Sequence, residues 1–199
     1  MSITINPSAT IAPPSSFLVD TQGYTQGLTL DDPVARQWLR SGPVDSSVTQ
    51  AIWGGMAIQE LVQEPGSNAA GGSIALATTA AEITGFSVFD RAYNMIVSPG
   101  NTVPTTSTGM SVAYYRLGSN VRIPVLCTAA LITAVEGNGT NTAVLWDAVN
   151  SQLVPSGTSG GLALTCKVVA INSNSKIVAY NSSTNAVTWT TGSVAVIQI

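Results

Sequence analysis

Residues 109–125 read GMSVAYYRLGSNVRIPV. Two short runs rich in valine, tyrosine and isoleucine flank Gly118-Ser119-Asn120, residue types that supply tight turns. The reading is a β-hairpin, with strands over residues 110–117 and 121–127. The same stretch gathers Tyr114, Tyr115, Arg116 and Arg122 in a chain where 9% of residues are charged and none is histidine. Adjacent residues on a strand face opposite sides. At least one of the two tyrosines is therefore expected outside the core, unless both faces of the strand are covered.

The texture of this stretch continues in both directions from residue 48 onward. Short apolar runs rich in Val, Ile, Thr and aromatics are broken by Gly, Asn, Ser and Pro about every ten residues, the pattern of an all-β sandwich or barrel. Further strands are expected over residues 51–62, 73–77, 86–97, 132–136, 143–146, 152–154, 162–172, 176–180, 186–190 and 194–199, with turns at 172–175 and 181–185. A strand that runs to residue 199 is expected to pair within its sheet.

Residues 1–47 read differently. Pro7, Pro13, Pro14, Pro33 and Pro43 exclude a regular sheet interior and favour an extended arm. One short helix is expected in it: Asp32 can cap it, Pro33 takes the first helical position, Val34, Trp38 and Leu39 recur at helical spacing, and Gly42-Pro43 stops it. About nine residues are too few for an isolated helix in water, so its Trp38 stripe must dock on its own domain or on a neighbour. The expected organisation is an extended N-terminal arm, residues 1–47, followed by an all-β sandwich domain, residues 48–199.

Composition narrows the function. The charged share is about a third of the roughly 25% usual for globular chains. A surface polar through Ser, Thr, Asn and Gln costs little to desolvate and suits a large contact. The net charge of −3 lacks the clustered basic face that nucleic acid requires. No apolar run approaches membrane-spanning length, and MSITINPSATIAPPSS has neither the charged nor the apolar region of a signal peptide, so a soluble chain made in a cytoplasm is expected. Cys127 and Cys166 are too far apart in sequence for a metal knuckle and are expected as two small buried side chains.

No constellation for catalysis is found. Gly157-Thr158-Ser159-Gly160-Gly161 resembles the surroundings of a serine nucleophile, but that mechanism needs an imidazole and the chain has none. Zinc and iron sites of the usual kinds want histidine or clustered cysteine. The carboxylates Glu60, Glu64, Glu82, Asp90, Glu136 and Asp147 lie beside turns or in alternating runs, where a solvated strand face is the default. The expectation is no enzyme, no catalytic residue, no metal and no cofactor. What remains is binding through surface. Trp38, Trp53, Arg91, Tyr114, Tyr115, Arg116 and Arg122 are the expected interface residues, being of the types that bury large area and pair bidentately.

Four stretches then fall in a familiar order. They are Val48 to Ile58 (VTQAIWGGMAI), Gly85 to Asp90 (GFSVFD), Gly109 to Gly118 with Val121 to Val125, and Ala143 to Asp147 (AVLWD) with Gln152 to Val154. This order resembles the structural cement, or decoration, proteins of tailed-bacteriophage capsids. The resemblance covers residues 48–154 and extends to the β-rich end, and leaves out the arm. Asn150-Ser151 stands where that family has a glycine turn. The resemblance implies a jelly-roll-like β-sandwich on the outside of an icosahedral shell. It also implies major capsid protein as partner, assembly as a homodimer or homotrimer, and a place on the virion surface. Arg116 and Arg122 would then face acidic capsid positions while Tyr114 or Tyr115 fills a groove. The alternative is a head-fibre or tail component that recognises host surface glycans; a secreted carbohydrate-binding module ranks below both.

Overall fold

The computed structural model describes residues 23–31, 34–61, 72–89, 102–138 and 142–199. The described chain is mostly strand. In order these are β1 (Arg40–Pro43), β2 (Ala57–Leu61), β3 (Ser73–Leu76), β4 (Gly85–Ser87), β5 (Ser111–Arg116), β6 (Arg122–Leu126), β7 (Val144–Asp147), β8 (Gln152–Pro155), β9 (Leu162–Ala163), β10 (Lys167–Asn181) and β11 (Ala186–Gln198). A single α-helix among the described residues, α1 (Ala129–Asn138), lies between β6 and β7. The strands form three antiparallel sheets, ordered β1-β5-β4-β2-β3, β10-β11-β6 and β8-β7-β9.

The two edge strands of the five-stranded sheet are tied together at one end. Just past β1, Val44 bridges Ile74 of β3 in parallel, and the Asp45 amide donates to the Ile74 carbonyl at 2.9 Å. Alternation along its strands sends apolar side chains to both faces. Val112 and Tyr114 of β5 join a core with Ile52, Met56, Ile58 and Ile74. Ala113 and Tyr115 join another with Phe86, Ile123, Leu131, Trp146 and Ile197, where Phe86 meets Trp146 edge-on at 5.6 Å.

The β5–β6 hairpin expected from the sequence does not form. β5 pairs with β1 and β4, whereas β6 pairs with β11, so residues 117–121 carry the chain from one sheet to another. Gly118 and Asn120 have φ of 88° and 58°, the turn conformation their types suit. Packing decides the rest: with both faces of β5 buried, β6 gains more by completing the face that Ile123, Val125, Ala195 and Ile197 share.

Two other strand expectations and one turn are corrected. Residues 132–136 belong to α1, because Leu131 and Val135, four apart, are both buried and Thr128 accepts from the Leu131 amide at 3.3 Å as a cap. Residues 172–175 are no turn but an irregularity inside β10, which continues to Asn181. Residues 51–62 are strand only from Ala57, with Ile52 held by a lone bridge to Thr106. The turn at 181–185 forms as expected: Asn181 Oδ1 accepts from the amides of Ser183 and Thr184, and Asn185 takes φ of 52°. β11 pairs on both sides, with β10 and β6.

The part of the expected arm that lies among the described residues is built into the body. β1 is an edge strand that ends on Pro43, where a missing N–H is tolerated. Ahead of it, residues 24–30 form a strap that hydrogen-bonds to both outer strands of the β10-β11-β6 sheet. Lys176 N donates to Tyr24 O at 2.8 Å and Gln26 N to Lys176 O at 2.9 Å; Gly27 N donates to Pro124 O at 2.7 Å and Leu30 N to Arg122 O at 3.0 Å. Gln26 is fully buried, its Oε1 accepting from the Val178 amide at 2.9 Å and its Nε2 donating to Gly54 O at 3.2 Å. Gly27, with φ of 72°, lies against the backbone of Gly54, and any side chain there would collide with it.

Candidate interface

Three of the seven expected interface residues are core. Tyr115 is 1% exposed and Tyr114 and Trp53 are 5% exposed, because both faces of β5 are covered and the 51–56 segment is tucked into the second core. Trp53 packs on Tyr180 with ring centroids 5.3 Å apart. Burial, and then the neighbouring Glu60 carboxylate, push the Tyr114 hydroxyl up to about 12. Cys127 and Cys166 are free thiols in or against the core that holds Tyr115, each pushed up to about 12 by burial. Arg91 lies outside the described residues.

The two arginines are at the surface, and each already holds an acid of its own chain. Arg116, at the end of β5, forms a fork with Glu60 of β2: Nε to Oε1 and Nη2 to Oε2, both 2.7 Å. Arg122 holds Asp31 with Nη2 to Oδ1 at 2.6 Å and Nε to Oδ1 at 3.0 Å, while its amide donates to Oδ2 at 2.7 Å. Each guanidinium holds its carboxylate partner below the ordinary range and is itself raised in return. The arginine side chains are 56% and 49% exposed, so solvent screens these pairs and they add little stability. Their effect is to hold two guanidinium forks in place at the two ends of the 117–121 turn.

Trp38 is where an interface residue was expected. The helix is shorter than its sequence suggests, a single 3-10 turn over Val34–Trp38 followed at once by β1; Asp32 and Pro33, its expected cap and first residue, lie outside the described residues. Ala35 is buried and Leu39 packs on the core, while Val34 and Trp38 point out, 80% and 53% exposed. The expected docking of the Trp38 stripe is thus unmet within the described chain.

Below Trp38 runs an open groove of about 440 Å³, lined by Asp31, Val34, Gln37, Trp38, Ser119 and Asn120 among others. Asp31 is the carboxylate that Arg122 holds, so the groove carries a balanced charge at one end. The Ser119 hydroxyl is buried and has no partner among the described residues. The groove thus brings together Trp38 and the Asp31–Arg122 pair, with Arg116 across the turn. Trp38 and Arg122 were legible by residue type. Val34, Gln37 and Ser119 were not, because their place follows from how the 3-10 turn meets the 117–121 turn, contacts more than 80 residues apart.

The chemistry available is that of contact: an apolar lip, amide and hydroxyl groups and fixed guanidinium forks. Among the described residues no three metal-ligating side chains gather, and no helix is long and apolar enough to cross a membrane. Comparison with protein-family models, with curated proteins and with solved structures finds no match to this chain.

Proposed function

We propose that this chain is a non-enzymatic structural protein that binds the outer surface of an icosahedral phage capsid and cements neighbouring major capsid subunits. The observation that carries the reading is the surface around the 117–121 turn. Two half-exposed arginines, each oriented by a carboxylate of its own chain, flank a turn that borders the exposed Trp38 and Val34. An arginine has five N–H donors, and the bonds to Glu60 and Asp31 leave some for a capsid carboxylate. Orienting the fork beforehand lowers the ordering cost of that contact. The charge-poor remainder of the surface and the order of strand and turn motifs support the same reading. In it the five-stranded sheet, with the other sheets packed on it, is this chain's form of the jelly-roll-like sandwich, acting as a homodimer or homotrimer on the virion surface.

Sedimentation with assembled, undecorated capsids of the source phage tests it. The expected result is co-sedimentation at a fixed copy number per shell, weakened about tenfold or more in Arg116→Ala/Arg122→Ala. Protein that stays in the supernatant with intact shells overturns the reading. One observation favours a second reading, recognition of host surface glycans: the exposed Trp38 ring stands beside the amides of Gln37 and Asn120. Binding to host cells in place of shells would select it.

A further inference from the structure

The lining of the Trp38 groove suits a segment of extended chain. Trp38 and Val34 form an apolar lip, while the side-chain amides of Gln37 and Asn120 supply donors. A polyproline helix is complementary to such a surface. It makes no internal hydrogen bonds, its carbonyls are open, its prolines carry no N–H, and it docks in aromatic-lined grooves that offer donors. This chain contains one such stretch. Residues 7–16, PSATIAPPSS, hold three prolines and no charge. The one carboxylate of the groove is already balanced by Arg122, so a neutral segment meets no unpaired charge there.

Where the described chain begins points to a neighbour as the source. Gly23 and Tyr24 lie against β10, with the Tyr24 amide donating to Ser175 Oγ at 3.0 Å. The groove lies at the opposite end of the strap, where Asp31 meets Arg122. Between the two, the strap itself occupies the free side of β6 through Pro124 O and Arg122 O. A chain turning back from Gly23 toward its own groove would meet the side of β6 that the strap already fills, and residues 17–22 give it about 20 Å at full extension. The same segment of another copy meets no such obstacle.

We propose that the groove beneath Trp38 seats residues 7–16 of a second copy of this chain in a polyproline conformation. The proposal rests on the assembly reading above and adds to it the partner and the segment. Photocrosslinking of the full-length protein tests it, with p-benzoyl-phenylalanine in place of Val34 and, in a second variant, in place of Gln37; both positions are exposed, so the fold tolerates the probe. Illumination is expected to give a covalent dimer on a denaturing gel, with the link mapped by mass spectrometry to residues 7–16. Adding Trp38→Ala is expected to cut the dimer yield about fivefold or more. A link to residues 7–16 in a product of monomer mass, a link to any other segment, or no dimer overturns the proposal. No capsid enters the experiment, so its failure leaves the cement reading standing, and failure to bind shells leaves this one standing.

Discussion

Asp45 shows what one side chain contributes where two strands meet. Its carboxylate accepts from Ser73 Oγ at 2.6 Å and from the Ser47 amide and hydroxyl at 2.9 and 2.7 Å, and these bonds hold it down at about 2 against an ordinary 3.8. A folded value below the unfolded one means that the charged form is favoured by folding. The stability it contributes is complete above the ordinary value and fades as the pH falls from about 4 to about 2. Melting temperatures of the protein and of Asp45→Asn should differ most near pH 6 and converge near pH 2; a gap that stays constant would refute this. The contact to Ser47 is legible in the sequence as a serine two positions on, whereas Ser73, 28 residues away, has no local signature. The tyrosine pair divides the same way. Period-two alternation put Tyr114 and Tyr115 on opposite faces, and only the packing of the sheet shows that both faces are dry.

At the scale of elements, the strap depends on Gln26. Truncating it leaves the Val178 amide and the Gly54 carbonyl without partners inside the protein. Gln26→Ala should therefore lower the unfolding free energy by about 2–4 kcal/mol in a urea titration, while an exposed polar change such as Thr188→Ala stays within about 0.5 kcal/mol. Strand positions such as β5, β6, β7 and β8 were legible because composition and turn residues mark them locally. Their pairing was not. The β5–β6 turn looks like a hairpin turn, and whether it reverses the chain within one sheet is fixed by Ile197 and Ala195, some 70 residues later. α1 was misread because Ile, Thr and Val favour strand, and the Leu131–Val135 spacing that makes it a helix is only one repeat long.

The molecule as a whole has two cores that share a wall. Tyr114 and Tyr115, neighbours on β5, belong one to each, and Trp53 and Trp146 are buried on opposite sides of that sheet. Neither core can lose the sheet without the other, so both should melt together. Fluorescence-monitored unfolding of Trp146→Phe, which keeps Trp53 and Trp189 of one core, and of Trp53→Phe/Trp189→Phe, which keeps Trp146 of the other, should show each variant's tryptophan signal and its far-ultraviolet dichroism changing at one midpoint. Separate midpoints within a variant would mean independent halves. The all-β class was legible from the spacing of turn residues alone. The candidate interface was legible only as residue types, since exposure of Trp38 and burial of Trp53 follow from packing that no local pattern carries.

The strap also sets an order of events as the chain is made. Gln26 precedes by 152 residues the Val178 amide that its side chain holds, and Tyr24 lies 151 residues ahead of Ser175. A ribosome adds about 5–20 residues each second, so the strap emerges many seconds before its seat exists. During that interval the edge of β6 that β11 later covers stays open to any strand nearby. The nascent protein is most exposed to mispairing with a neighbouring nascent copy just before the β10–β11 hairpin leaves the exit tunnel, and slowing synthesis over that last stretch would lengthen the hazard.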